Sequence, residues 1–130
     1  MAQTVLVSEM IADGKKLLVA LDKTELKVTT AFWYYLEESE SWRIVLSSPY
    51  MTKHDHYHQA FRLVHKAITE NDLWETFDYV HLVLVSPKDE KVRLLRKDIS
   101  ARGKDLRGVR RRKSMIDRTY FEDVYVFRMI

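Results

Sequence analysis

Apolar residues recur along this chain with two periods, and each change of period marks a change of element. From Val5 to Lys23 the spacing is helical: Leu6, Met10, Leu17, Leu18 and Leu21 share one side, and Glu9, Asp13, Lys16 and Lys23 the other. Gly14 falls on the apolar side, where a missing side chain lets a helix approach a sheet closely. Asp13-Gly14 could instead close a tight hairpin, but the flanking residues alternate poorly, so the helix is preferred. Val28 to Leu36 (VTTAFWYYL) is dense in β-branched and aromatic residues and predicts a strand. Glu37 to Ser41 is a short polar connection, and Trp42 to Ser48 (WRIVLSS) predicts the returning strand.

Pro49 stops that strand. Thr52, with Asp55 three residues on, has the spacing of a capping box and predicts a second helix from Thr52 to about Glu70–Asp72. Its expected buried stripe is Tyr57, Phe61, Val64 and Ile68, with Ala60 and Ala67 alongside. Tyr79 to Ser86 (YVHLVLVS) predicts a third strand. Ser86-Pro87-Lys88-Asp89 then opens a third helix, with Ser86 as cap, Val92, Leu95 and Ile99 as apolar stripe and Gly103 as stop. Leu106 to Lys113 predicts a strand with a cationic outer face, and Asp123 to Ile130 (DVYVFRMI) a closing strand. The fold class is therefore a single mixed α/β domain over 1–130, in the order α-β-β-α-β-α-β-β, with a four- or five-stranded mixed sheet. If the strands around the third helix lie parallel, their crossover is right-handed.

The stretches Lys15 to Asp22 (KKLLVALD), Val28 to Tyr35 and Trp42 to Pro49 resemble the helix-plus-hairpin opening of a group of small uncharacterised bacterial α/β proteins. The resemblance covers the first half of the chain and, more loosely, the strand-Ser-Pro-x-Asp-helix step and the aromatic last strand. It implies the fold; it implies no activity and carries no functional residue.

Composition narrows the chemistry. With no cysteine, disulfides and thiolate metal sites are excluded, which suits a reducing cytoplasm. The opening residues lack the basic region of a secretory signal, and no window approaches the roughly 20 apolar residues of a membrane helix, so a soluble cytoplasmic protein is expected. Only Gly14, Gly103 and Gly108 are available, so no phosphate-cradling glycine loop can be built. No serine has a nucleophile-elbow context.

Charge changes the picture most. Residues 91–118 hold twelve Lys or Arg against three acids, an excess of +9, while the other 102 residues net −6 beneath a total of only +3. Clustered long cations displace counterions from phosphate backbones, so the segment points to an anionic partner, with nucleic acid one candidate. The candidate anion-binding residues are Arg93, Arg96, Lys97, Arg102, Lys104, Arg107 and the run Arg110, Arg111, Arg112 and Lys113. No helix-turn-helix, zinc-finger or RNP motif accompanies them. The competing reading is a solvated edge that blocks sheet-to-sheet aggregation, or that meets the acidic Glu37–Glu40 turn of a second subunit.

Three further constellations each have a plainer role. On a helix begun at Thr52, His54 and His58 lie one turn apart and could share a metal, as paired histidines do in helical zinc sites. No third ligand is identifiable, and a polar helix start explains them more simply. A nuclease-like set of Asp117, Glu122 and Asp123 is weakened because Glu122 and Asp123, being adjacent, should point to opposite faces of a strand. Phe32, Trp33, Tyr34, Tyr35 and Trp42 could stack on bases, but cross-strand core packing uses the same residue types. The favoured reading is a small non-enzymatic binding protein without cofactor, using segment 91–118. A metal-dependent hydrolase or nuclease using His54 and His58, and a structural homo-oligomer such as a symmetric dimer, are the alternatives.

Overall fold

The computed structural model describes residues 8–52, 56–77, 82–99 and 108–130. Along them run α1 (Ser8–Leu21), β1 (Thr30–Leu36), β2 (Ser41–Ser47), a single 3-10 turn (Pro49–Met51), α2 (Tyr57–Glu70), β3 (Leu82–Val85), α3 (Glu90–Asp98), β4 (Val109–Ile116) and β5 (Thr119–Met129). The predicted element order holds, and the strands form one five-stranded mixed sheet in the order β3-β2-β1-β5-β4. Among the described residues no helix is long and apolar enough to cross a membrane.

Strand alternation decides what each helix covers. On β1, Ala31 and Trp33 face one way and pack with Leu17, Leu18 and Leu21 of α1 and Ala60, Val64 and Ile68 of α2. Phe32 faces the other way, against Val92 and Leu95 of α3 and Ile99 just beyond it. Phe32, Trp33 and Trp42 are all buried, so the aromatic run is core on both faces and offers no open platform of stacked rings. Trp33 is held further by an indole hydrogen bond to the Met10 carbonyl (3.1 Å) and by near-parallel stacking on Phe77, 5.6 Å between centroids.

The close approach expected at Gly14 is present. A Cβ there would run into the ring of Phe127. Phe127 itself sits where the β1–β5 register slips: Ala31 pairs with Arg128 but Phe32 pairs with Val126. The extra residue lets Phe127 and Arg128 both project toward α1. Phe127 meets Gly14, and Arg128 makes a two-pronged ion pair with Asp22, just past the end of α1, at 2.7 and 2.9 Å. Arg128 also donates to the Val28 carbonyl at 3.2 Å, and it is only 2% exposed. Burying a guanidinium requires such a partner.

Several boundaries differ from the sequence reading, each for a local reason. Thr52 does not cap α2: its hydroxyl turns back to the Pro49 carbonyl (3.0 Å) and closes the 3-10 turn that Ser48 caps, so α2 starts at Tyr57. The core stripe of α2 runs through Ala60, Val64, Ala67 and Ile68, which leaves Phe61 44% exposed rather than buried. At α3 the cap is Asp89, whose carboxylate accepts from the Lys91 and Val92 amides; Ser86 instead accepts from Lys88 in the preceding turn. The helix ends at Asp98, and Gly103 lies outside the described residues. Finally, β4 and β5 form a hairpin that extends past the predicted strands, joined at Asp117-Arg118, both with positive φ (50° and 74°). Because β3 and β4 occupy opposite edges and run in opposite directions, the parallel crossover is β2–α2–β3 rather than the step through α3.

Candidate functional site

The basic segment folds into α3 and the edge strand β4, and the pleat divides its cations between the two faces of the sheet. Cross-strand partners share a face. Arg110 pairs with Tyr125 and Arg112 with Asp123, on the α1–α2 side, while Arg111 pairs with Val124, which packs under α3. Arg93, Arg96 and Lys97 are exposed on α3 itself. Arg102, Lys104 and Arg107 lie outside the described residues.

Many of these cations already hold a carboxylate. Asp123 is 7% exposed and accepts two hydrogen bonds from Arg110 (3.0 and 2.6 Å), with Arg112 at 3.6 Å. That hydrogen bonding raises the Arg110 pKa above its ordinary value, so the guanidinium stays charged. Arg111 donates to Asp98 of α3 at 3.2 Å, and Lys97 stands 3.6 Å from Asp117 in the β4–β5 turn. Arg96 donates to the Thr30 hydroxyl, and Lys91 lies over the Tyr34 ring, 5.5 Å from its centroid. The exposed pairs cost little to open, because solvent screens both partners; the Arg110–Asp123 pair, with its carboxylate buried, is part of the fold.

The three carboxylates of the nuclease-like set are each engaged separately. Asp117 has Lys97, Asp123 has Arg110 and Arg112, and Glu122 accepts from the Tyr120 hydroxyl at 2.7 Å. Of the histidine pair, His58 occupies the first turn of α2, while His54 lies outside the described residues. Among the described residues no group of three or more His, Asp or Glu side chains gathers as a metal site would require.

The sequence reading missed two features. One is the Asp22–Arg128 pair, whose partners are 106 residues apart and leave no local signature. The other is a groove of about 690 Å³ between α1 and α2, edged by Lys15, Lys16, Lys23 and Lys66. Those lysines fall in the part of the chain that nets negative, so a count along the sequence conceals them. The available signal was an apolar patch bordered by Lys15 and Lys16 on α1 and by Lys66 on α2. No family model matches this chain, nor does any curated protein or solved structure.

Proposed function

We propose that the protein is a non-enzymatic binding module that engages the phosphate backbone of a nucleic acid through α3 and the adjoining edge of β4. One observation carries the reading: Arg111 of β4 bonds Asp98 in the last turn of α3, bringing Arg111 beside Arg93, Arg96 and Lys97 on the same side of the sheet. Long cations spread over a helix and a strand suit a polyanion, whose charges repeat, better than a single small anion. The ion pairs divide the labour. Arg110 and Arg112 hold Asp123 and serve the fold, while Arg93, Arg96, Lys97, Arg111 and Lys113 are the cations that meet phosphate. No base-reading motif accompanies them, so binding is expected to ignore sequence.

The test is the salt dependence of binding to a fluorescein-labelled 20-base-pair duplex. Five phosphate contacts give a slope of log affinity against log salt of about −4.5, and replacing Arg93, Lys97 and Lys113 with Ala should flatten it by about 2.7. Equal affinity and equal slope for the wild type and the triple variant would reject the assignment.

A further inference from the structure

The groove between α1 and α2 lies on the other side of the sheet from α3 and from the proposed nucleic-acid surface. Its floor is apolar: Val19 and Ala20 from α1, Leu63 and Ala67 from α2. The groove exists because alanines occupy positions 20 and 67, where longer side chains would have filled the space between the helices. Val19 is 51% exposed in this floor. Four lysines edge it, Lys15 and Lys16 from α1, Lys23 from the turn after it and Lys66 from α2, against a single carboxylate, Glu70. Lys15 and Lys23 have no ion-pair partner among the described residues, and the contacts of Lys16 with Asp13 (3.9 Å) and Lys66 with Glu70 (3.8 Å) are long and exposed.

From this geometry we infer that the groove docks an amphipathic helix of a partner protein, one with an apolar stripe flanked by Asp and Glu. The lining of α1 from Lys15 to Ala20 rises about 7.5 Å at 1.5 Å per residue, roughly a turn and a half of a helix laid alongside, and Lys23 and Thr24 extend it in the turn beyond α1. A helix placed there buries its stripe on the floor and sets its acids against lysines on both sides, the helix-in-groove mode of recognition. Charge complementarity excludes the simpler occupants. A fatty acid brings one carboxylate to four lysines distributed along the groove. A second copy of this chain brings its exposed acidic run, Glu37 to Glu40, on a turn with no apolar side chain to cover the floor. A membrane surface is flat, whereas the floor lies between two helices.

The experiment is selection of 18-residue helical peptides from a phage-displayed library against the whole protein. Enriched sequences are then synthesised and measured by fluorescence anisotropy. We expect them to share apolar residues at i, i+3 or i+4, and i+7 with acidic flanks. Val19→Glu, and separately Lys15→Glu with Lys66→Glu, should weaken binding at least tenfold while circular dichroism and melting stay unchanged. The Arg93, Lys97 and Lys113 variant should bind these peptides as the wild type does, which separates this site from the proposed nucleic-acid surface. Failure to enrich any peptide, enriched peptides without acidic flanks, or undiminished binding to Val19→Glu would each overturn the inference. So would loss of binding only in the Arg93, Lys97 and Lys113 variant, or Val19-dependent binding to phosphatidylserine vesicles with no peptide enriched.

Discussion

Replacing Asp22 with Ala isolates the value of the buried ion pair that ties the end of α1 to β5. Arg128 loses both hydrogen bonds to the carboxylate, at 2.7 and 2.9 Å, and keeps only the Val28 carbonyl at 3.2 Å. Its Nε has no partner among the described residues, so the charge would be left almost unsatisfied at 2% exposure. Stranding a buried charge costs about 3–5 kcal/mol. Asp22 retains some access to water, its side chain being 16% exposed, which favours the lower half of that range. For 130 residues the unfolding entropy is roughly 0.27 kcal/mol per degree, so a loss of about 3.5 kcal/mol lowers Tm by about 13 °C. Urea unfolding and calorimetry should agree on it. The double change Asp22→Leu with Arg128→Met removes both charges and should recover most of the loss, since apolar replacements of buried pairs are often neutral or stabilising. A single variant costing less than about 1 kcal/mol, or a double variant no better than the single, would refute the reasoning.

Three further outcomes are expected. Gly14→Ala should destabilise by about 1–3 kcal/mol despite alanine's better helix propensity, because the new methyl meets the fully buried Phe127 ring; calorimetry showing a stabilised variant would contradict the close approach. Arg110→Ala should cost roughly 2 kcal/mol by leaving the Asp123 carboxylate under-paired, whereas Arg111→Ala next to it should cost less than about 1, and equal losses in urea would remove the distinction between the two faces. Tyr120, hydrogen-bonded to Glu122, has its pKa pushed up to about 12, and Tyr35 and Tyr125 are raised chiefly by burial. A raised tyrosine pKa means that stability is fully present below the ordinary value near 10 and is lost as pH rises from there to about 12. Absorbance titration of tyrosinate should show late-titrating groups, and Tyr120→Phe should remove one of them.

Much of the fold was legible because burial leaves a periodic trace. Val28–Leu36 and Trp42–Ser48 announced the central hairpin, and Gly14 announced a close contact before its partner, Phe127, was known. Errors fell where two local signals compete. Thr52 and Asp55 mimic a capping box, but Pro49 claims the Thr52 hydroxyl for its own turn. Ser86 and Asp89 are both sound caps, and only the chain's path chooses Asp89. The Asp117-Arg118 connection could not be read, since two-residue hairpin turns with positive φ usually advertise themselves with glycine or asparagine. The basic segment was visible at once, yet its division between faces was not. That division depends on strand register and on Asp98 and Asp123, whose contacts with the run are tertiary.

The strand order has a consequence for synthesis. β5 is made after every other strand yet lies between β1 and β4, inside the sheet. Until it has left the ribosome, β1 has one open edge, and Phe32 lacks the Val124, Val126 and Met129 side chains that complete its surroundings. At 5–20 residues per second, the interval between completing β1 and completing β5 is on the order of 5–20 s. Through that interval the nascent chain presents an apolar strand, dense in aromatics, with an unpaired edge. A chaperone, or a hairpin from a neighbouring nascent chain, has its opportunity then.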